Sequence, residues 1–121
     1  MITKLDAICL LVKNLTTSRD FYETKLGLTV SLTDIGFVEY KLGETPLALF
    51  EKTPATAMFP AKYMNPVGGA VIALKVDNVE KTCQELNAKD IKIFEGPKNT
   101  SWGQTVAYLH DPDGHIIELT S

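Results

Sequence analysis

Short apolar stretches of strand character recur along this chain in a fixed order. Residues 7–12 (AICLLV) and 71–76 (VIALKV) are the two clearest. Each is followed, one residue later, by Asn14 or Asn78. Asparagine accepts hydrogen bonds from the first free backbone amides of a helix, so each marks a helix start. Residues 7–28 and 71–92 superpose at an offset of 64 residues, which indicates an internal repeat.

The segment after each asparagine carries apolar residues at helical spacing. The first stripe stops at Gly27 and consists of Leu15, Phe21, Tyr22 and Leu26. The second ends within residues 87–90 and consists of Val79, Cys83 and Leu86. Asp77 and Glu80 have the spacing of a capping box, so Asp77 competes with Asn78 as the cap.

Three extended runs follow each helix. They are residues 28–32, 36–42 and 46–51 in the first half, and 91–94, 105–110 and 115–120 in the second. The sequence Asp111-Pro-Asp-Gly predicts a tight turn between the last two runs. The pattern therefore predicts two βαβββ modules, about 3–52 and about 69–121. Residues 53–68 contain Pro54, Pro60 and Pro66 and are interpreted as a linker without a helix.

This pattern predicts an α+β fold in which the chain, 1–121, is one domain. A single helix covers one face of each small sheet, and the other face needs a partner. Two sheets paired within the chain or between chains form a curved half-barrel around a cavity, with the helices outside. The linker residues Met58, Phe59, Tyr63 and Met64 are apolar for a loop. They either cover the cavity, pack on a second subunit or seal the gap between the modules.

Strand alternation separates helix-facing from cavity-facing positions. In the final hairpin the turn predicts that Tyr108 lies opposite Glu118, and opposed residues share a face. Tyr40 takes the same place against Ala48 if the first half follows the same register. The predicted cavity residues are Ala7, Cys9, Tyr40, Ala48, Val71, Ala73, Tyr108 and Glu118. His110 ends a strand, and His115 is expected in a solvated turn.

Composition narrows the class of protein. The 121 residues are 45% hydrophobic and carry a formal net charge of −3. The chain therefore lacks the excess of Lys and Arg that would neutralise the phosphates of a nucleic acid. Nucleic acid is therefore an unexpected partner, and no apolar run approaches the length of a membrane span. Cys9 and Cys83 form no CxxC motif, so we expect a reducing cytoplasm and no disulfide.

Several short motifs in this order resemble the vicinal oxygen chelate superfamily, which includes glyoxalase I, extradiol dioxygenases, and fosfomycin- and bleomycin-resistance proteins. The motifs are VKNL at 12–15, FY at 21–22, LGL at 26–28, LALFE at 47–51, WG at 102–103 and DPDGHIIEL at 111–119. The resemblance covers nearly the whole chain. It implies a homodimer in which the sheets of two chains complete the cavities.

The resemblance also implies where a metal would bind. In the metal enzymes of the superfamily, four equivalent strand positions supply the ligands, usually His and Glu. Here they are Ala7, Ala48, Val71 and Glu118, and only Glu118 has a ligating side chain. Because a catalytic divalent ion normally needs about three protein ligands, we expect no metal and no other cofactor. Alternation places Glu51 on the opposite face unless the strand contains a bulge.

The expected function is metal-free binding of a small, apolar or planar molecule, such as a cationic drug or antibiotic, as in the bleomycin-resistance branch. Tyr40, Tyr108 and Trp102 would bury the ligand, and Glu118 would orient a polar or cationic group. One alternative is a lyase, isomerase or dioxygenase-like enzyme that uses Glu118 with a rearranged or absent metal site. Another is an inert or regulatory domain whose cavity is filled by its own side chains.

Overall fold

Each half of the chain folds into a four-stranded mixed sheet with a helix against one face. The computed structural model describes residues 1–65 and 67–121. They fall into unit 1, Met1–Pro66, and unit 2, Val67–Ser121. Pro66, which belongs to the predicted linker, lies outside the described residues. In both units the first strand pairs in parallel with the last, and the other neighbouring strands are antiparallel.

Unit 1 has the strand order β1-β4-β3-β2. Its strands are β1 (Ile8–Val12), β2 (Thr29–Asp34), β3 (Phe37–Lys41) and β4 (Leu47–Glu51). Helix α1 (Leu15–Arg19) continues as a π-helical turn over Asp20–Lys25, which ends before Gly27. Tyr22 and Tyr40 are fully buried, with ring centroids 6.1 Å apart, so the π-helical turn packs on the β3 face that carries Tyr40.

The start of α1 is held by two side chains. Asn14 Oδ1 accepts from the backbone N–H of Thr17 at 3.0 Å, as the sequence predicts. Glu51 Oε2, at the end of β4, accepts from the N–H of Leu15 at 2.8 Å. A carboxylate is favourable at this end of a helix, where unpaired N–H groups point outward. Glu51 therefore lies on the helix face, and no bulge brings it to the other side.

Unit 2 repeats this architecture with the strand order β5-β8-β7-β6. Its strands are β5 (Val71–Lys75), β6 (Ile93–Asn99), β7 (Thr105–His110) and β8 (Ile116–Thr120), and its helix is α3 (Val79–Ala88). Asn78 is the cap, since its Oδ1 accepts from the N–H of Lys81 at 2.9 Å. The Oγ of Ser121 accepts from the N–H of Val79 at 3.3 Å, in the place that Glu51 takes in unit 1.

The structure corrects the predicted register of the first hairpin. Tyr40 lies opposite Leu47, and Glu39 lies opposite Ala48. The predicted pairing of β3 with β4 is therefore one residue out of register, and Glu39 takes the position that Tyr108 has opposite Glu118 in unit 2. A shift of one residue moves every side chain of a strand to the other face. The placement of Tyr40 in the cavity is thus wrong, because its ring is buried against the helix.

The predicted linker contains two short helical segments, which the sequence interpretation missed. Helix α2 spans Lys52–Ala55, and a 3-10 turn spans Ala61–Tyr63. Pro54 is compatible with α2 because it lies in the first turn, where a backbone N–H has no helical partner to lose. Of the apolar residues noted there, Met64 is buried, whereas Met58 and Tyr63 are exposed.

The fold class is confirmed as α+β with two open sheets in βαβββ order. The described residues contain no helix long and apolar enough to cross a membrane. The assignment of a single domain, and the cavity, stay predictions.

Candidate functional site

A tyrosine and a carboxylate meet on the far face of unit 2. We use "far face" for the side of each sheet that points away from its helix. Tyr108 of β7 lies opposite Glu118 of β8, as the hairpin turn predicts, and its hydroxyl donates to Glu118 Oε2 at 3.0 Å. Both residues are half-buried. Neighbours on either side in these strands point to the helix because side chains alternate along a strand.

The hydrogen bond favours the protonated form of the Tyr108 hydroxyl. It raises the pKa of the Tyr108 hydroxyl above its ordinary value, and burial and the charges of Glu118 and Glu95 raise it further. Tyr108 is therefore a neutral donor at physiological pH. Within the described part of the chain Glu118 forms no ion pair. The pair consequently offers a carboxylate edge that no protein cation neutralises.

Aromatic rings border this pair at the edge of the sheet. Phe94 stacks on His110, with ring centroids 4.3 Å apart and an interplanar angle of 13°. Its centroid is 6.2 Å from that of Tyr108. A bulge makes this possible, because Ile93 and Glu95 pair with successive residues of β7 and leave Phe94 as the extra residue. Phe94 is 42% exposed, so part of its ring is free to contact a flat molecule.

Phe94 could not be predicted at this site, since no sequence signal marks the bulge that turns it onto the far face. His110 was expected at a strand end and has that position. Two residues beyond Glu118, the hydroxyl of Thr120 is buried, and the described residues offer it no hydrogen-bond partner. A buried hydroxyl without a partner is unfavourable, so Thr120 is a candidate for contact with a polar group.

The other expected residues of unit 2 are more spread out. Ala73 lies beside Glu118, and Val71 lies beside Ile116 and is exposed. Trp102 is 73% exposed in the turn before β7, and its indole N–H donates to Gln104 Oε1 at 2.9 Å. About three residues of strand, roughly 10 Å, separate this turn from Tyr108. Trp102 therefore lies in the turn beyond the strand positions of the tyrosine–carboxylate pair, and its contact with a ligand stays a prediction.

Unit 1 has a different set of side chains on its far face. Cys9 lies beside Ala48, in the same relation as Ala73 to Glu118. Desolvation raises the pKa of the Cys9 thiol, so it is a poor nucleophile. Ala7 precedes β1 and is half-buried. Glu39 replaces Tyr40 on this face, and a correct count of the residues in the β3–β4 connection would have found it.

His115 is half-buried and paired with a carboxylate, whereas a solvated side chain was expected. Its Nδ1 lies 2.7 Å from Oδ2 of Asp111, and Asp111 Oδ1 accepts from the backbone N–H groups of Asp113 and His115. The side chain of Asp111 is fully buried. These bonds hold the turn between β7 and β8 in shape, and so they fix the register that places Tyr108 opposite Glu118.

The donor set does not fit a divalent metal ion. Unit 1 supplies Ala7 and Ala48 at the positions that the resemblance assigns to ligands, and unit 2 supplies Val71 and Glu118. Three of these side chains are hydrocarbon, whereas a catalytic site needs about three oxygen, nitrogen or sulfur donors. In residues 1–65 and 67–121 no three His, Cys, Asp or Glu side chains are grouped as metal ligands would be.

Comparison with known families identifies the group. The family model described as the glyoxalase-like domain matches residues 5–121. This chain belongs to that family. The resemblance found in the motifs is thereby confirmed at the level of the superfamily, while the bleomycin-resistance branch stays a prediction.

Relatives of this glyoxalase-like chain differ in what their names state. It is 32% identical over 124 residues to the uncharacterized protein YraH of Bacillus subtilis (strain 168), and the match covers 96% of each chain. It is 32% identical over 117 residues to lactoylglutathione lyase of Escherichia coli O157:H7, covering 89% of this chain and 84% of the relative. The solved structure of TnmS3, an antibiotic binding protein from Streptomyces sp. CB03234, superposes with a TM-score of 0.74. Its identity is 26%, and the match covers 98% of this chain and 94% of TnmS3.

Proposed function

We propose that this glyoxalase-like chain binds a small, largely apolar or planar organic molecule that carries a cationic group, and that it does so without a metal ion. One observation carries the proposal. Of the four positions that the resemblance assigns to metal ligands, only Glu118 has a polar side chain, and it accepts a hydrogen bond from a neutral phenol. A carboxylate in this setting is suited to a cationic nitrogen.

The neighbouring rings supply the apolar part of the proposed contact. Phe94 and His110 stack at the edge of the sheet, so a flat ligand can extend the stack while its charged end reaches Glu118. The hydrogen bond from Tyr108 holds the carboxylate in one orientation. The far-face residues Ala7, Cys9, Ala48 and Val71 are proposed as further contacts, together with the exposed Trp102. Tyr40 is no longer included, because it is buried against the helix.

The comparisons support two functions unequally. TnmS3 is named as an antibiotic binding protein, which favours binding without turnover. The lyase of Escherichia coli O157:H7 favours the alternative, a glyoxalase- or dioxygenase-like lyase or isomerase that uses Glu118. We prefer binding because the donor set does not fit a metal.

Calorimetry with a planar cation tests the proposal. Proflavine is flat and cationic at neutral pH, and acridine is a nearly neutral compound of the same shape. We expect proflavine to bind the wild type, and Glu118→Gln to weaken it by about tenfold, as loss of one charged contact does. Tyr108→Phe should weaken it less, since the carboxylate remains. The matched control is Glu80→Gln, which removes the same charge from an exposed position of α3 and should bind proflavine like the wild type.

Two results would overturn the proposal. The first is that neither compound binds the wild type at millimolar concentration. The second is turnover of lactoylglutathione by the purified protein that depends on an added divalent ion and on Glu118. That second result would establish the lyase alternative.

We also propose that the protein is a cytoplasmic homodimer. The free cysteines Cys9 and Cys83 suit a reducing compartment. Exposed apolar residues in and beside the edge strand β2, Leu32 and Ile35, suit a contact between copies. Light scattering on the purified protein tests the dimer, and a monomer at micromolar concentration contradicts it. Fractionation of cells tests the location.

A further inference from the structure

Unit 1, like unit 2, carries a carboxylate on its far face. Glu39 lies in β3, opposite Ala48 of β4, and is half-buried. Glu118 lies on the far face of unit 2. Each unit thus has one acidic side chain in the same pair of opposed positions. The acidic residue belongs to β3 in unit 1 and to β8 in unit 2.

A bulge directs a hydroxyl at Glu39. Val30 and Leu32 of β2 pair with successive residues of β3, which leaves Ser31 as the extra residue. The Oγ of Ser31 lies 3.2 Å from Glu39 Oε2 and 3.3 Å from the backbone carbonyl oxygen of Glu39. The edge strand of unit 2 has a bulge at Phe94, beside the Tyr108–Glu118 pair. In both units, therefore, the extra residue of a bulge in the edge strand lies near the far-face carboxylate. Ser31 contacts Glu39 itself, and the ring of Phe94 lies beside Tyr108, the partner of Glu118.

Two aromatic rings share the far face of unit 1 with Glu39. Phe37 lies two residues before it in β3 and packs edge-to-face on Phe50 of β4, with ring centroids 5.7 Å apart. Cys9 lies on the other side of Ala48. Lys41, two residues further along β3, is exposed. None of the ion pairs among the described residues includes Glu39. Among the described residues Glu39 is thus a carboxylate outside every ion pair, on the same face as aromatic rings, and it is available to an external cation.

Glu39 also differs from the other partly buried glutamates of unit 1. Glu23 accepts from Arg19 and from Tyr40, so it ties the helix to the sheet. Glu51 accepts from the first amide of α1. Both have a clear role in holding the fold. The bond from Ser31, which is exposed, gives Glu39 no comparable role.

We propose that Glu39 is a ligand-contacting residue that binds a cationic nitrogen, such as an ammonium or amidinium group, of an aromatic ligand. This inference rests on the proposed function, because it assumes that the chain binds a planar cation. Phe37 and Phe50 supply apolar contact beside the charge. The Ser31 hydroxyl holds the carboxylate in the way that the phenol of Tyr108 holds Glu118.

Charge-neutralising variants with the same two probes test the inference. We expect Glu39→Gln to weaken proflavine binding by about tenfold while leaving acridine within twofold. Glu39→Asp keeps the charge and should retain more of the affinity than Glu39→Gln. The matched control is Glu44→Gln, which removes the same charge from an exposed position of unit 1 and should change affinity less than twofold. Unchanged thermal unfolding shows that each variant is folded.

The outcomes separate this inference from the proposed function. If Glu118→Gln weakens proflavine binding and Glu39→Gln behaves like Glu44→Gln, the inference is wrong and the proposed function stands. If Glu39→Gln weakens proflavine and acridine equally, the contact does not depend on charge and the inference is again wrong. If neither probe binds the wild type, both fail.

Discussion

Glu39 and Tyr108 occupy equivalent positions in the two repeats. Each lies on the far face of its sheet, opposite a residue of the last strand. Glu39 lies opposite Ala48 in unit 1, and Tyr108 lies opposite Glu118 in unit 2. On the far faces of the described residues, the tyrosine–carboxylate hydrogen bond is therefore found in unit 2, whereas the bond of Tyr40 to Glu23 lies on the helix side of unit 1. In unit 1 the carboxylate stands in the tyrosine's place and accepts from a serine. The repeats share a backbone pattern, but their far faces have different chemistry.

The Tyr108–Glu118 bond predicts an unusual tyrosine ionisation. Because the carboxylate opposes a phenolate beside it, Tyr108 should ionise above the ordinary tyrosine pKa of about 10. Ultraviolet absorbance titration of the wild type and of Tyr108→Phe isolates this group. In Glu118→Gln the pKa of Tyr108 should move back toward the ordinary value. A titration that is the same with and without the Glu118 carboxylate contradicts the described bond.

The buried bond of Tyr40 should matter for stability. Its hydroxyl donates to Glu23 Oε2 at 2.8 Å, and Glu23 also pairs with Arg19. We expect Tyr40→Phe to lower the free energy of unfolding by about 1–2 kcal/mol, the value of a hydrogen bond to a partly exposed charged group. Chemical denaturation measures it. Tyr108→Phe is the matched control, since its half-buried bond should contribute less. Equal losses would contradict the difference in burial.

The same residue predicts how stability changes at high pH. Burial, followed by the bond to Glu23, raises the pKa of Tyr40 in the folded state above that in the unfolded chain. Its contribution to stability is fully present below the unfolded pKa of about 10 and is lost as pH rises through the folded pKa. The unfolding free energy of the wild type should fall more steeply above pH 10 than that of Tyr40→Phe. Parallel curves would show that Tyr40 ionises normally.

Glu51 is expected to be structural. Glu51→Ala removes the acceptor for the Leu15 amide and a negative charge at the start of α1, and we expect a loss of about 1 kcal/mol in unfolding free energy. Glu51→Gln keeps an acceptor and should lose less. Proflavine affinity should be unchanged in both variants. A variant that loses affinity but keeps its stability would place Glu51 in the binding site instead.

A second register shift in β6, between Glu95 and Lys98, contains a glycine. Gly96 has φ +86°, and a Cβ there would lie 2.6 Å from the carbonyl oxygen of Val106. Gly103 has φ +92° with open space around it, so Gly103→Ala carries the backbone strain without the clash. We expect Gly103→Ala to cost about 1 kcal/mol and Gly96→Ala about 3 kcal/mol or more by chemical denaturation. Similar losses would mean that the backbone of β7 moves aside.

Local patterns were sufficient to predict the order of elements. Both asparagine caps and the hairpin register at Tyr108 follow from short-range rules, because a helix start or a tight turn is specified by a few adjacent residues. Glu118 and Tyr108 could therefore be paired from the sequence. The π-helical turn of Asp20–Lys25 could not be predicted, since the apolar stripe of a π-helix over one turn resembles that of an α-helix.

The errors on the far faces have one cause, which is the position of single residues in the pairing of strands. The connection between β3 and β4 lacks a turn as specific as Asp111-Pro-Asp-Gly, so an error of one residue moved Tyr40 to the wrong face and left Glu39 unnoticed. The bulges at Ser31 and Phe94 depend on backbone contacts between strands that are distant from any local signal. These residues became candidates only with the pairing known.

In each unit a side chain at the end of the last strand accepts a hydrogen bond from the first amide of the helix. The acceptor is Glu51 in unit 1 and Ser121 in unit 2, so both partners of the bond belong to the same unit. Each unit thus holds the start of its helix with a side chain of its own. The bond is present in both units although its acceptor is a carboxylate in one and a hydroxyl in the other. Each unit can therefore vary the side chains of its far face while the start of its helix stays held.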